Sequence, residues 1–135
     1  MNEYIISFFN FNEEDKVKLK NTPFIGKRDF ELTDYSYESK IEEIELSNLV
    51  GSVRYDLSNV TNLYQAYERL HKGYLYKDKR IDDWIKIVNE PYNNDLPEVV
   101  EIDSGYYHFG EGKHRLITSK ILGFEKIKVI IKTIK

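Results

Sequence analysis

Apolar residues recur along the chain in short blocks that follow two different periods. Tyr4 to Phe9 (YIISFF) is a continuous apolar and aromatic run of strand length. Asn12 then offers a helix N-cap, Glu13, Glu14 and Asp15 fill an acidic first turn, and Lys16, Lys18 and Lys20 follow, until Pro23 ends the helix. Phe30, Leu32, Tyr35 and Tyr37 alternate with polar residues as an irregular strand or hairpin arm. Ile41 to Leu49 (IEEIELSNL) predicts a strand with a turn at Ser47 and Asn48. Leu63, Ala66, Tyr67 and Leu70 stand at offsets 0, 3, 4 and 7, one face of a helix capped by Ser58 or Asn59 and stopped by Gly73. Asp82 and Asp83 open a further helix through Trp84, Ile85 and Val88 that ends near Pro91, and Asn93 to Asp95 is a loop.

The last forty residues are the most regular. Pro97 to Ile102 reads as a strand, Ser104-Gly105 as a hairpin turn, and Tyr106 to Phe109 as the partner strand. A helix over 112–122 follows, with Gly123 at the left-handed stop position, and Ile127 to Ile131 is a closing strand. The expected fold is a small α+β domain, residues 1–135, with a mixed sheet and helices. No internal repeat, low-complexity segment or linker interrupts it.

One feature breaks the ordinary electrostatic rules. The helix after Gly110-Glu111-Gly112 begins with Lys113, His114 and Arg115. A helix N-terminus carries the positive end of the macrodipole, so each exposed cation there costs roughly 0.3–1 kcal/mol. The same end points unpaired N–H groups outward. Three cations at that place make sense together if an anion sits before them, and a phosphate is the obvious one. The two glycines would let a backbone approach the anion closely, Lys113 and Arg115 would neutralise it, and Glu111 could hold Mg²⁺ or orient a water. The competing reading is a tight glycine turn with Arg115 paired inward to Glu111 or Asp103.

Composition narrows the classes. The chain has no cysteine, which excludes disulfides, thiolate catalysis and Cys-based zinc sites. A net charge of −3 and a pI near 5.7 are a poor footprint for binding nucleic acid through phosphates alone, so DNA is not favoured as a partner. No apolar run reaches membrane-span length and the N-terminus lacks a basic leader, so a cytoplasmic protein without membrane contact is expected. His108, Glu111 and His114 are spaced three apart as a metal triad would be, but across a strand, a turn and a helix start. Seven tyrosines between Tyr64 and Tyr107 are core and rim, or a protein-binding surface.

From about Ile41 onward the chain resembles the ParB/sulfiredoxin superfamily. IEEIELSNLVGSVRYD looks like that family's opening strand leading to an arginine, here Arg54. LPEVVEIDSGYYHFGEGKHRLITSKILGF is similar to its strand, hairpin, glycine-rich turn and helix, and KIKVIIK to its closing strand, here without the usual proline. Residues 1–40 then form an N-terminal extension to a 41–135 core, and a stretch of about 74–92 is a helical insertion.

The resemblance implies a nucleotide site. Gly110, Gly112, Lys113, His114 and Arg115 would hold the phosphates of ATP or CTP with Mg²⁺ at Glu111, Arg54 would face the turn, and Glu111 and His114 are the candidate catalytic side chains. Sulfiredoxin chemistry is excluded, because Lys113 stands where its cysteine would be. The helix-turn-helix domain of partition ParB proteins is expected to be missing after the last strand. Free-serine kinases of the superfamily need an upstream carboxylate, and LVGSVRYD offers none before Asp56. Hydrolysis or phosphotransfer stays open. The expectation is therefore a nucleotide-binding ParB-like domain of plasmid or phage type with weak NTPase activity. The alternatives are a non-enzymatic inhibitor or regulator, binding a protein through a tyrosine-rich or acidic surface (Glu42, Glu43, Asp82, Asp83), and a ParB-like DNase.

Overall fold

A computed structural model describes residues 12–27, 36–70, 86 and 96–134. Its described elements are three helices, α1 (Glu13–Lys20), α2 (Leu63–Glu68) and α3 (Lys113–Leu122), and six strands. The strands are β1 (Ile25–Gly26), β2 (Tyr37–Glu45), β3 (Leu49–Ser52), β4 (Glu98–Ile102), β5 (Gly105–Phe109) and β6 (Lys126–Ile134). They form one mixed sheet in the order β1-β3-β5-β4-β6-β2. The expected α+β class is the observed one. The strand expected over Tyr4–Phe9, the arm at Phe30–Tyr35, the stop at Gly73 and the helix around Trp84 fall outside the described residues.

Helix α1 starts as its sequence dictates. The Asn12 side chain accepts a hydrogen bond from the Asp15 N–H at 2.7 Å, and the acidic first turn and basic last turn both suit the macrodipole. Helix α2 starts later than its sequence suggests. Neither Ser58 nor Asn59 caps it; Asn62 does, accepting from the Gln65 N–H at 2.9 Å. Ser58 stays extended and Asn59 takes a left-handed φ of 69°. The Val60 and Thr61 carbonyls accept from the Gly26 and Phe24 N–H groups on the β1 side. The cap therefore yields to strand-edge hydrogen bonding, and the helix begins once that bonding is complete. Leu63, Ala66, Tyr67 and Leu70 are all buried, as their spacing predicts.

The β4–β5 hairpin turns through Asp103 and Ser104, with φ of 51° and 70°. Two consecutive left-handed residues make the turn that matches strand twist, and Asp tolerates that conformation. Gly105, read in the sequence as part of the turn, is instead the first residue of β5. Strand β2 begins at Tyr37, four residues before its predicted start, and pairs antiparallel with β6 along nine residues. Glu43 faces Lys128 and Glu45 faces Lys126 across that ladder, which offsets the acidity of an exposed edge strand.

Helices and sheet share one core. Leu63 and Ala66 of α2, Leu116, Ile117 and Leu122 of α3, and Val99, Val129 and Ile131 of the sheet are essentially inaccessible. Each fully buried aliphatic side chain contributes about 1.5–3 kcal/mol of transfer free energy. That core fixes α3 against the sheet and so fixes where its N-terminus lies. No described helix is long and apolar enough to cross a membrane.

Candidate functional site

Strands β3 and β5 run parallel, with Ser52 in register with His108. Both chains therefore leave the sheet at the same end. The backbone stays paired one step further, since the Val53 N–H donates to the His108 carbonyl at 2.9 Å. After β5 comes the turn Gly110-Glu111-Gly112, and after β3 come Arg54, Tyr55 and Asp56. This parallel register brings residues more than fifty positions apart onto one site.

The turn needs its glycines. Gly110 and Gly112 have φ of 60° and 92°, a region other residues enter only at a cost. A Cβ on Gly112 would lie 2.5 Å from the Pro97 Cβ, and one on Gly110 would run into the Glu98 carboxylate. Glu98 clamps the turn twice. Its N–H donates to the Glu111 carbonyl at 3.1 Å, and its Oε1 accepts from the Glu111 N–H at 3.0 Å. Helix α3 then begins at Lys113 with Gly112 as its N-cap and no side-chain cap. Gly112 thus brings no side-chain oxygen of its own to the leading N–H groups, where Ser, Thr, Asp or Asn usually supplies one.

Arg54 lies across this turn. Its Nη1 donates to the Gly110 carbonyl at 3.0 Å, and its side chain remains 41% exposed, enough to meet a ligand. Lys113 turns to Asp56 instead of outward. Its Nζ is 2.7 Å from Asp56 Oδ2. Asp56 Oδ1 is buried without a hydrogen-bond donor, and its near cation is the Arg54 Nε at 3.8 Å. Burial pushes the Asp56 pKa up, but the Lys113 hydrogen bond and the charges of Lys113 and Arg54 outweigh it and hold the carboxyl below its ordinary value. Part of the anion that the cationic helix start demands is thus supplied from within the chain.

His108 takes a different role from the one its spacing suggests. It is fully buried, and both ring nitrogens are engaged. Nδ1 is 2.9 Å from Ser52 Oγ and Nε2 is 3.2 Å from the Gly110 carbonyl. A carbonyl only accepts, so Nε2 carries the proton and Nδ1 accepts from the Ser52 hydroxyl. Ser52 Oγ in turn accepts from the Arg54 N–H at 3.1 Å. The result is a closed ring: Arg54 backbone, Ser52, His108, the Gly110 carbonyl and back to the Arg54 guanidinium. Burial pushes the His108 pKa down to about 4, helped by the charges of Arg54 and Lys113 and opposed by the Gly110 hydrogen bond and Asp56. His108 is neutral at pH 7 and works as a spacer between sheet and turn.

Among the described residues, no three His, Asp or Glu side chains gather to hold a metal. His108, Glu111 and His114 therefore do not converge as a triad. The Glu111 side chain is exposed beside the turn, while His114 and Arg115 sit in the first turn of α3 and each has interactions of its own. Sequence reading did not single out Ser52 or Glu98, and named Asp56 only as the first carboxylate of LVGSVRYD. Nothing local marks them, because each acts through a partner brought by sheet register. No protein-family model, curated protein or solved structure matches the chain.

Proposed function

We propose that the protein is a phosphate- or nucleotide-binding domain of ParB-like type, with the anion before the glycine-capped start of α3. The observation that carries this reading is Arg54, partly exposed and bonded to the Gly110 carbonyl, opposite a cationic helix start whose N-cap is a glycine. Two left-handed glycines, the positive end of a helix and a guanidinium form a cradle suited to phosphate oxygens. Lys113 and Arg115 add charge, and Asp56 releases Lys113 when a stronger anion arrives. Glu111 is the carboxylate for Mg²⁺ of ATP or CTP, and Glu111 with His114 would serve a weak hydrolysis. The experiment is a thermal-shift series with ATP, CTP, ADP and GTP at millimolar concentration with Mg²⁺. At a hundred times Kd a ligand adds about 2.7 kcal/mol to stability. Stabilisation by at least one nucleotide, reduced by Arg54→Ala and Arg115→Ala, supports the reading. No stabilisation by any nucleotide overturns it.

A second reading rests on a specific observation as well. Asp56 on Lys113 and Glu98 on the Glu111 N–H are internal carboxylates in places a ligand anion would use. A turn satisfied in this way suits a non-enzymatic regulator or inhibitor that meets a protein partner through its acidic or tyrosine-rich surface. If biological activity survives unchanged in a folded Arg115→Ala protein, this second reading replaces the first.

A further inference from the structure

At the other end of α3 lies a cationic group with no counter-charge. Lys120 stands in the last turn of the helix and is mostly buried. Its Nζ donates to the Leu46 carbonyl at 2.7 Å, its one side-chain bond among the described residues. An ammonium has three donors, so two remain without protein partners. Burial alone pushes the Lys120 pKa down, with no carboxylate opposing it. Held by one neutral carbonyl, the ammonium keeps two donors that a ligand anion can take.

The surroundings define that ligand. Lys120 lines a pocket of about 250 Å³, widely open to solvent, formed by α1, the start of α2, the end of α3 and the turn at Leu46-Ser47. The walls are mainly apolar, formed by Leu19, Leu46, Leu63, Ile121 and Phe124. The remaining polarity comes from exposed Lys18, from Thr22, whose hydroxyl donates to the Lys18 carbonyl at 2.8 Å, and from Ser47, whose hydroxyl has no partner among the described residues. At roughly 30 Å³ per water, the volume matches on the order of eight waters, or one small organic molecule. Two lysines and no acidic residue line the space, so the complementary charge is negative. Leu63, Ile121 and Phe124 offer contact to an apolar body that a bare, strongly hydrated ion cannot use.

We propose that this cavity binds a small carboxylate with a short apolar body. The carboxylate takes the free donors of Lys120 and the Ser47 hydroxyl. The body rests against Leu63, Ile121 and Phe124. The site is separate from the 110–115 turn and stands whether or not the turn binds a nucleotide.

The test uses the full chain, labelled for ¹H–¹⁵N correlation spectra, titrated with hexanoate and, in parallel, with hexanol and hexylamine. Hexanoate is expected to shift the amides of Leu46, Ser47, Lys120 and Phe124 saturably, with hexanol at least tenfold weaker and hexylamine without effect at these residues. Lys120→Met keeps the aliphatic stem and removes the charge, and is expected to weaken hexanoate at least tenfold. A rise in the Lys120 ammonium pKa on adding hexanoate to the wild-type chain reports the same contact without a variant. The proposal is overturned if hexanoate gives no saturable shift at these residues, if hexanol matches it, or if folded Lys120→Met binds hexanoate as tightly as the wild type.

Discussion

The ammonium of Lys113 lies 2.7 Å from Asp56 Oδ2, an ion pair that joins the first residue of α3 to the turn after β3. Both side chains are largely shielded, at 17% and 27% exposure, so the pair is worth more than a surface bridge. Asp56→Asn is expected to cost about 1 kcal/mol at pH 7, because Lys113 loses a charged acceptor without losing all contact. The Asp56 carboxyl is held below its ordinary value, so its stabilisation is present above about pH 4 and lost as pH falls through the lowered folded pKa. Urea midpoints for wild type and Asp56→Asn should differ at pH 7 and converge in acid. Equal midpoints at pH 7 would show that the pair contributes nothing.

His108 governs a higher pH window. Its folded pKa is depressed from the ordinary 6.5 to about 4, so the unfolded chain binds the proton more readily between those values. The contribution is full above pH 6.5 and lost as pH falls toward 4, amounting to about 3 kcal/mol. His108→Gln keeps a donor for the Gly110 carbonyl and removes the titration. Stability measured at pH 7, 5.5 and 4.5 should fall for wild type and stay nearly level for the variant. A parallel decline in both would assign the acid sensitivity elsewhere.

Ser52 has no freedom to vary. Ser52→Ala removes the donor to His108 Nδ1 and the acceptor for the Arg54 N–H in one step. Leaving buried polar groups unpaired costs about 1–3 kcal/mol. The loss should also appear in the ¹⁵N resonances of the His108 ring, since the hydroxyl no longer favours the Nε2–H form. An unchanged ring spectrum together with full stability would contradict the closed ring.

Gly112 is the most constrained point of the turn. Gly112→Ala places a Cβ 2.5 Å from the Pro97 Cβ and 2.6 Å from its Cα, in a residue with φ of 92°. The left-handed conformation costs roughly 1–2 kcal/mol for a non-glycine residue, and the clash with backbone adds to it. A destabilisation of more than about 2 kcal/mol is expected in chemical denaturation. A loss under about 0.5 kcal/mol would mean that the turn rearranges freely.

Much of the local structure was legible along the chain. The Asn12 cap, the buried face of α2, the span of α3 between Gly112 and Gly123, and the closing strand follow from period, cap and glycine position. These signals act within a few residues, so no distant contact is needed to express them. The start of α2 was not legible, since Val60 and Thr61 are committed to Gly26 and Phe24 on the other side of the fold. The early start of β2 depends in the same way on the length of β6 across from it.

By itself, the sequence determined that a glycine turn would deliver three cations to the start of a helix, and that a small mixed sheet would carry it. Tertiary structure decided what surrounds that turn. Lys113 reaches Asp56, His108 is sealed between Ser52 and the Gly110 carbonyl, and Arg54 closes the ring over the turn. Each partnership spans β3 and β5, whose parallel register is set by the burial of the sheet beneath α2 and α3. Side-chain periodicity determines which face of an element is buried; only packing determines which elements lie side by side, and therefore which charges are paired.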